Sequence, residues 1–254
     1  MESVKHHSNI NQHNNQSLLR GFLIASPHET NRLAWVNKTC KELPGIQVVP
    51  AIYPSQIHIP FLRALQQKSK ERTGYALKEG EIGILLSNRK IWRNIVASNA
   101  SEAEAFLILE SDSELKNPEL LRKHFTMLTS QYDLFFFGSW LGNTSLLRST
   151  RQPLEQGYAF GTPFIKSISG GYGYALNKKA ARHLLASSNK IAHPVDEFKR
   201  YITPNYLRIG AILPELISVY PGESTIGERP HEPAKEKLKM LLLNIRNAII
   251  SYCR

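Results

Sequence analysis

The segment Phe106-Leu107-Ile108-Leu109 is apolar at every position and ends abruptly in Glu110-Ser111-Asp112. A strand with one face in water alternates apolar and polar side chains, whereas an unbroken apolar run must be covered on both faces. The segment therefore reads as a central parallel strand of a layered fold, with carboxylates at its C-terminal end. Tyr132 to Gly138 (YDLFFFG) repeats the pattern. Near the start, Gly21-Phe22-Leu23-Ile24-Ala25-Ser26 runs into Pro27 as a short buried strand. Leu33, Val36, Cys40 and Leu43 then recur at helical spacing between Glu29 and Leu43, and β-branched residues from Ile46 to Tyr53 form a second strand. This strand–helix–strand opening predicts an α/β fold with a mostly parallel central sheet flanked by helices.

Further along, Glu79-Gly80-Glu81-Ile82-Gly83 leads into a helix on which Leu85, Asn88, Trp92 and Ile95 share one side. Lys178 to Leu185 reads as another helix, and Leu213 to Tyr220 as a late strand. The chain of 254 residues, 42% hydrophobic, suffices for one large domain, and no linker divides its middle. We expect a polar tail over 1–19, rich in Asn, Gln, His and Ser, a domain over 20–233 and an amphipathic basic helix over 234–254. That helix sets Leu238, Leu241, Leu242, Ile245, Ile249 and Tyr252 at helical spacing, with Lys235, Lys237, Lys239 and Arg246 among them. It either docks on its own domain or rests on an anionic membrane surface.

The formal net charge of +11 implies affinity for anions, be they nucleic acid, lipid or a phosphate-bearing substrate. There is no zinc-ligand spacing, aromatic RNA-binding signature or compact run of Lys and Arg, so no specific nucleic acid is expected. The two cysteines, Cys40 and Cys253, are too few for a disulfide framework, and the first residues carry no apolar signal core. With no apolar run that could span a bilayer, the expectation is a cytoplasmic protein, soluble or peripheral to the membrane.

In an extended chain residues i and i+2 face the same side, so Glu110 and Asp112 converge where α/β sheets bind ligands. Two carboxylates that close repel unless a cation sits between them or one takes a proton. A divalent ion such as Mn²⁺ or Mg²⁺ would resolve the conflict and neutralise charge on a departing diphosphate. Taken alone, the pattern also fits an acidic loop or a helix cap.

Four segments, taken in order, resemble glycosyltransferase family 25. Gly80-Glu81-Ile82-Gly83 with Leu86-Ser87 and Ile91-Trp92 resembles its "GEIGC…SH…W" block, and Leu107-Ile108-Leu109-Glu110-Ser111-Asp112 its "LILEDD" strand. Gly170 to Leu185 resembles the block in which a Gly-rich turn enters a strand and a helix, and Pro194-Val195-Asp196-Glu197-Phe198 the "PVDxF" motif. Ser224-Thr225-Ile226 is a closing element. The resemblance implies a GT-A-like domain that moves a hexose, galactose foremost, from a UDP-sugar to a glycan acceptor of lipopolysaccharide or lipooligosaccharide, by metal-assisted inverting displacement.

In that reading Glu110 and Asp112 hold the metal and diphosphate, with Asp112 the direct ligand. Arg32, in the loop after Pro27, meets the nucleotide phosphates or is a surface helix arginine. Asp196 and Glu197 are candidates for the general base, Asp196 preferred; Asp196 also suits a helix cap after Pro194. Glu81, Ser87 and Asn88 are candidates for substrate binding. Trp140 and Tyr172 are candidates for an aromatic platform under a sugar, while Trp92 fits the core. The sequence departs from the family at Ser111, which stands for its middle acid, at Ile84 and Asn88 for its Cys and His, and at Gly171-Tyr172 for its Thr-His pair. An inactive sugar- or nucleotide-binding module of the same fold, a basic nucleic-acid-binding protein and a nucleotidyltransferase stay open as alternatives.

Overall fold

The protein is described by a computed structural model over residues 18–53, 55, 57–138, 144–203, 205–220 and 234–253; in the last helix the described side chains are those of 242 and 245–253. The elements run β1 (Gly21–Ala25), α1 (Leu33–Glu42), β2 (Ile46–Pro50), α2 (Ile59–Thr73), α3 (Glu79–Ala97), β3 (Phe106–Glu110), β4 (Ser113–Leu115) and α4 (Pro118–Ser130). They continue with β5 (Leu134–Phe136), β6 (Gln152–Pro153), β7 (Ala159–Gly161), β8 (Gly173–Leu176), α5 (Lys178–Ser187), β9 (Ile209–Leu213), β10 (Ile217–Val219) and α6 (Ala234–Cys253). The polar tail up to residue 17 and Ser224-Thr225-Ile226 lie outside the described residues.

Eight strands form one sheet in the order β2-β1-β3-β8-β5-β9-β7-β6. Only β8 and β7 run against the rest, so six strands share one direction and the sheet is mostly parallel, as expected. Helices cover both faces, which is why the β3 run carries no alternation. Phe106 and Ile108 point into a core with α2, α3 and α5, alongside Tyr174 and Leu176 of β8. Leu107 and Leu109 point into a second core with α1 and α4, alongside Phe135 and Phe137. Trp92 is fully buried in the first core, as its helical side implies.

Some boundaries differ from the sequence reading. The helix expected from Glu29 begins as a 3₁₀ turn over Thr30–Arg32, and Leu33, at its junction with α1, is exposed. The strand expected over Leu213 to Tyr220 is two strands. Pro214 offers no N–H to a ladder, so β9 ends at Leu213 in the large sheet. β10 then pairs antiparallel with β4, the short strand just past Asp112. This second, two-stranded sheet lies beside the carboxylates, and the Tyr220 N–H donates to the Asp112 carbonyl at 2.7 Å.

Of the described apolar side chains in α6, Leu242, Ile245, Ile249 and Tyr252 are exposed and Ile250 is half-buried, whereas the polar Asn247 and Ser251 are buried. Of the other residues named for this helix, Lys235, Lys237, Leu238, Lys239 and Leu241 have no described side chains. Among the described residues, no helix is long and apolar enough to cross a membrane.

Candidate functional site

The carboxyl ends of β1, β3 and β5 and the start of β8 meet at one edge of the sheet. After β1 the chain turns tightly: the Ser26 carbonyl accepts from the Glu29 N–H, and the Ser26 hydroxyl from the His28 N–H. The following 3₁₀ turn then aims Glu29 and Arg32 toward the end of β3. Arg32 Nη1 donates to Ser111 Oγ at 2.8 Å and lies 3.3 Å from Asp112 Oδ2 and 4.0 Å from Glu29 Oε1. Ser111 Oγ in turn donates to Glu29 Oε2 at 2.8 Å.

Ser113 ties this group to the Gly-rich loop. Its hydroxyl accepts from the Glu110 N–H at 2.9 Å and donates to the Tyr172 carbonyl. Gly170 adopts φ 97°, the left-handed region that favours glycine, and its N–H donates to the Asp196 carbonyl at 3.1 Å. At Gly171 a Cβ would stand 3.2 Å from Glu110 Oε1, so the missing side chain lets the loop pack closely against that carboxylate. The third and fourth motifs therefore converge on the second, with Asp196 close enough to act on the charge of Glu110.

The electrostatics follow from this crowding. Burial, then the carboxylates of Asp112 and Asp196, push Glu110 up to about 8; Glu29 adds to the rise and Arg32 opposes it. Burial also raises Asp112, against the pull of Arg32. Glu110 thus holds a proton near neutrality unless a cation replaces it. A carboxyl whose folded pKa lies above its unfolded value stabilises the fold at low pH and loses that contribution as pH rises through about 8. In EDTA, the melting temperature should fall by several degrees more between about pH 5 and about pH 9 than in Glu110→Gln. Thermal melts across that range test this, and parallel curves for the two proteins would refute it.

Among the described residues no group of three or more His, Cys, Asp or Glu is arranged to hold a metal ion. Glu110 and Asp112 are a crowded pair of oxygen donors in which a cation could take the place of the Glu110 proton. Such a pair suits an ion that completes its shell with phosphate oxygens, as Mg²⁺ commonly does with one or two carboxylates. In these terms the donor set fits.

The other candidates divide. Arg32 is no surface arginine, since its side chain is 12% exposed within the acidic group. Glu197 instead pairs with Arg200 at 3.1 Å in a solvated position. Glu81 closes the capping box at the start of α3, accepting from the Lys78 N–H at 2.8 Å and from the Tyr75 hydroxyl. Ser87 is buried, accepts from the Ile52 N–H and donates to the Gly83 carbonyl. Asn88 is fully buried: its Oδ1 accepts from the Tyr174 hydroxyl at 2.6 Å, and that hydroxyl accepts from Trp92 Nε1. All three side chains are bonded within the protein's own scaffold. Tyr172 is buried over Gly138, with its hydroxyl 3.4 Å from Glu215 Oε2. Trp140 lies outside the described residues.

The sequence reading missed Glu29 and Tyr53. Burial raises the Tyr53 phenol, a hydrogen bond from Ser26 lowers it and Glu29 raises it again, so Tyr53 closes the same corner from the end of β2. One signal for Glu29 existed: an acid three residues before Arg32, in a chain whose "LILEDD" motif lacks its middle acid.

A layered sheet with a carboxylate pair at the carboxyl edge of a central strand is the architecture of a GT-A-like domain. Residues 20–199 match the family model for glycosyltransferase family 25 (LPS biosynthesis protein), and the chain belongs to that family. It is accordingly a glycosyltransferase of a lipopolysaccharide-biosynthesis family. No curated protein matches its sequence.

Proposed function

We propose that the protein transfers a hexose, galactose foremost, from a UDP-sugar to a glycan acceptor of lipopolysaccharide or lipooligosaccharide by metal-assisted inverting displacement. The observation that carries this reading is the Glu110–Asp112 pair, crowded enough to drive Glu110 to about 8 and bordered by the Arg32 guanidinium. Glu110 and Asp112 would hold Mn²⁺ or Mg²⁺, which supplies charge neutralisation for the leaving diphosphate. Arg32 would exchange part of its carboxylate pairing for phosphate oxygens. Tyr53, near His28 in an edge-on contact, offers an aromatic wall for the uracil. The acceptor oxygen bonds to the anomeric carbon as the bond to UDP breaks, and its proton passes to Asp196.

The departures from the family pattern weigh less against activity than the sequence suggests. Asn88 is buried and accepts from the Tyr174 hydroxyl, which supports a scaffold role for it over an acid–base one. At Ser111 the missing acid is offset in space by Glu29, one hydrogen bond away.

The test is UDP release from UDP-galactose, UDP-glucose and other UDP-sugars, with Mn²⁺ and with EDTA, for the wild type and Asp112→Ala. We expect metal-dependent release that falls by at least about 100-fold in the variant. No release from any UDP-sugar, together with no UDP binding by calorimetry, would leave the inactive binding module as the better account.

A further inference from the structure

α6 turns its apolar side outward. Leu242, Ile245, Ile249 and Tyr252 are 49–66% exposed, while Asn247 and Ser251, one turn apart, are each 4% exposed. At 3.6 residues per turn the four apolar positions fall within roughly 80° of one another, and Asn247 and Ser251 fall on the opposite side. A terminal helix that merely completed its own domain would bury the stripe and expose the amides and hydroxyls.

The surroundings of the stripe are cationic. α6 packs beside two 3₁₀ turns, Arg148–Thr150 and Ile165–Ser167. Arg148 lies over the Tyr252 ring at 4.6 Å. Arg151, just past the first turn, Lys166 on the second and Arg246 on α6 itself are all exposed. An apolar stripe with Arg148 against its Tyr252 ring, Arg246 on the same helix and the exposed Arg151 and Lys166 at the adjoining turns matches the boundary of an anionic bilayer, where acyl chains take the stripe and lipid phosphates take the cations.

A second copy of the chain fits less well. A two-fold contact through this face would set each copy's cations near the same cations of its mate, on a chain whose net charge is already +11. A nucleic-acid backbone would satisfy the cations but leave the stripe in water.

We infer that this face, formed by α6 and the two adjoining turns, seats the protein on an anionic lipid surface. The inference does not depend on the donor-site reading, and it is measured without any nucleotide sugar. The full chain would be co-sedimented with vesicles of phosphatidylcholine alone and of phosphatidylcholine with phosphatidylglycerol at about two to one. Wild type should bind the anionic vesicles at least about tenfold more tightly than the neutral ones. Ile245→Asp with Ile249→Asp should weaken that binding by at least about tenfold, because charge replaces the inserted side chains. Arg148→Glu with Arg246→Glu should weaken it comparably, which guards against misfolding in the first variant.

UDP binding should be unchanged in both double variants. Wild type that ignores anionic vesicles, or binds neutral ones equally well, overturns the inference. So does retention of tight binding by either variant. A concentration-dependent dimer in analytical ultracentrifugation that the Ile245 and Ile249 exchanges abolish would assign the face to a second copy instead.

Discussion

Asp196→Asn is expected to slow hexose transfer by about 10²–10⁴-fold while leaving UDP affinity within about twofold. The amide keeps the shape of the side chain but cannot take the acceptor's proton. The backbone is secured independently, because the Asp196 carbonyl accepts from Gly170 N–H whatever the side chain is. Asp196 lies near enough to Glu110 to raise its pKa, which is why the proposed reaction assigns the acceptor's proton to it. If Asp196 instead served donor binding, the exchange would weaken UDP and spare the rate at saturation. Steady-state kinetics with calorimetry separates the two, because a base reads out in kcat and a donor ligand in Kd. Glu197→Gln is the internal control: its carboxylate is engaged by Arg200 at the surface, and its loss should change kcat little.

Asp133→Ala is expected to destabilise the fold by about 3 kcal/mol, or roughly 6–12 °C in melting temperature, without touching the cleft. Asp133 is buried at the start of β5, by the end of β8. Its carboxylate accepts from the Arg208 N–H at 3.0 Å, Arg208 Nη2 at 2.9 Å, Asn177 Nδ2 at 3.0 Å and Lys179 Nζ at 3.1 Å. Burial alone would raise its pKa; these donors outweigh burial and hold it well below the usual carboxylate range. Arg208 and Lys179 are largely exposed and return to water when the acid is removed, so their share is small. The cost comes from the buried Asn177 amide, which caps α5, and from the Arg208 N–H.

The sign with pH follows. A depressed carboxylate stabilises the fold above the usual carboxylate range and loses that contribution as pH falls through it. The gap between wild type and Asp133→Ala should therefore narrow on going from about pH 7 to about pH 3, read by denaturant titration at both. An equal gap at both pH values would assign the loss to packing instead.

Much of the scaffold was legible because both-face burial and one-side burial leave different periods in the sequence. The β3 run had no alternation, and its neighbours do divide between two cores. On α3, Leu85, Asn88, Trp92 and Ile95 shared a side, and all four are buried. Other elements gave weaker signals. In α2 only Leu62, Leu65 and Ser69 are buried, so its apolar stripe is thin, and β6 and β7 are two and three residues long. The insertion of β8 between β3 and β5, against their direction, depends on contacts far apart in the chain.

The candidate site was legible where a motif was contiguous. Glu110, Asp112, Arg32 and Asp196 do come together, but Glu29 reaches Ser111 across a sequence separation of 82. Polar residues on a buried helix side were ambiguous in principle. Ser87 and Asn88 look alike in sequence whether they bind a ligand or serve the protein's own backbone, and here both bond to carbonyls one turn back on α3.

The Ser113 hydroxyl is a single hinge pin through two loops. One oxygen takes the Glu110 N–H and gives its own hydrogen to the Tyr172 carbonyl, so the loop leaving β3 cannot drift without dragging the loop that enters β8. The next bond along, from Gly170 to Asp196, extends the coupling to the third loop. The three loops that carry Glu110, Tyr172 and Asp196 are thereby tied into one hydrogen-bonded unit. On the proposed function, accommodation of acceptors of different size would fall to segments outside that unit, so exchanges there would change which sugar is glycosylated without retuning the chemistry.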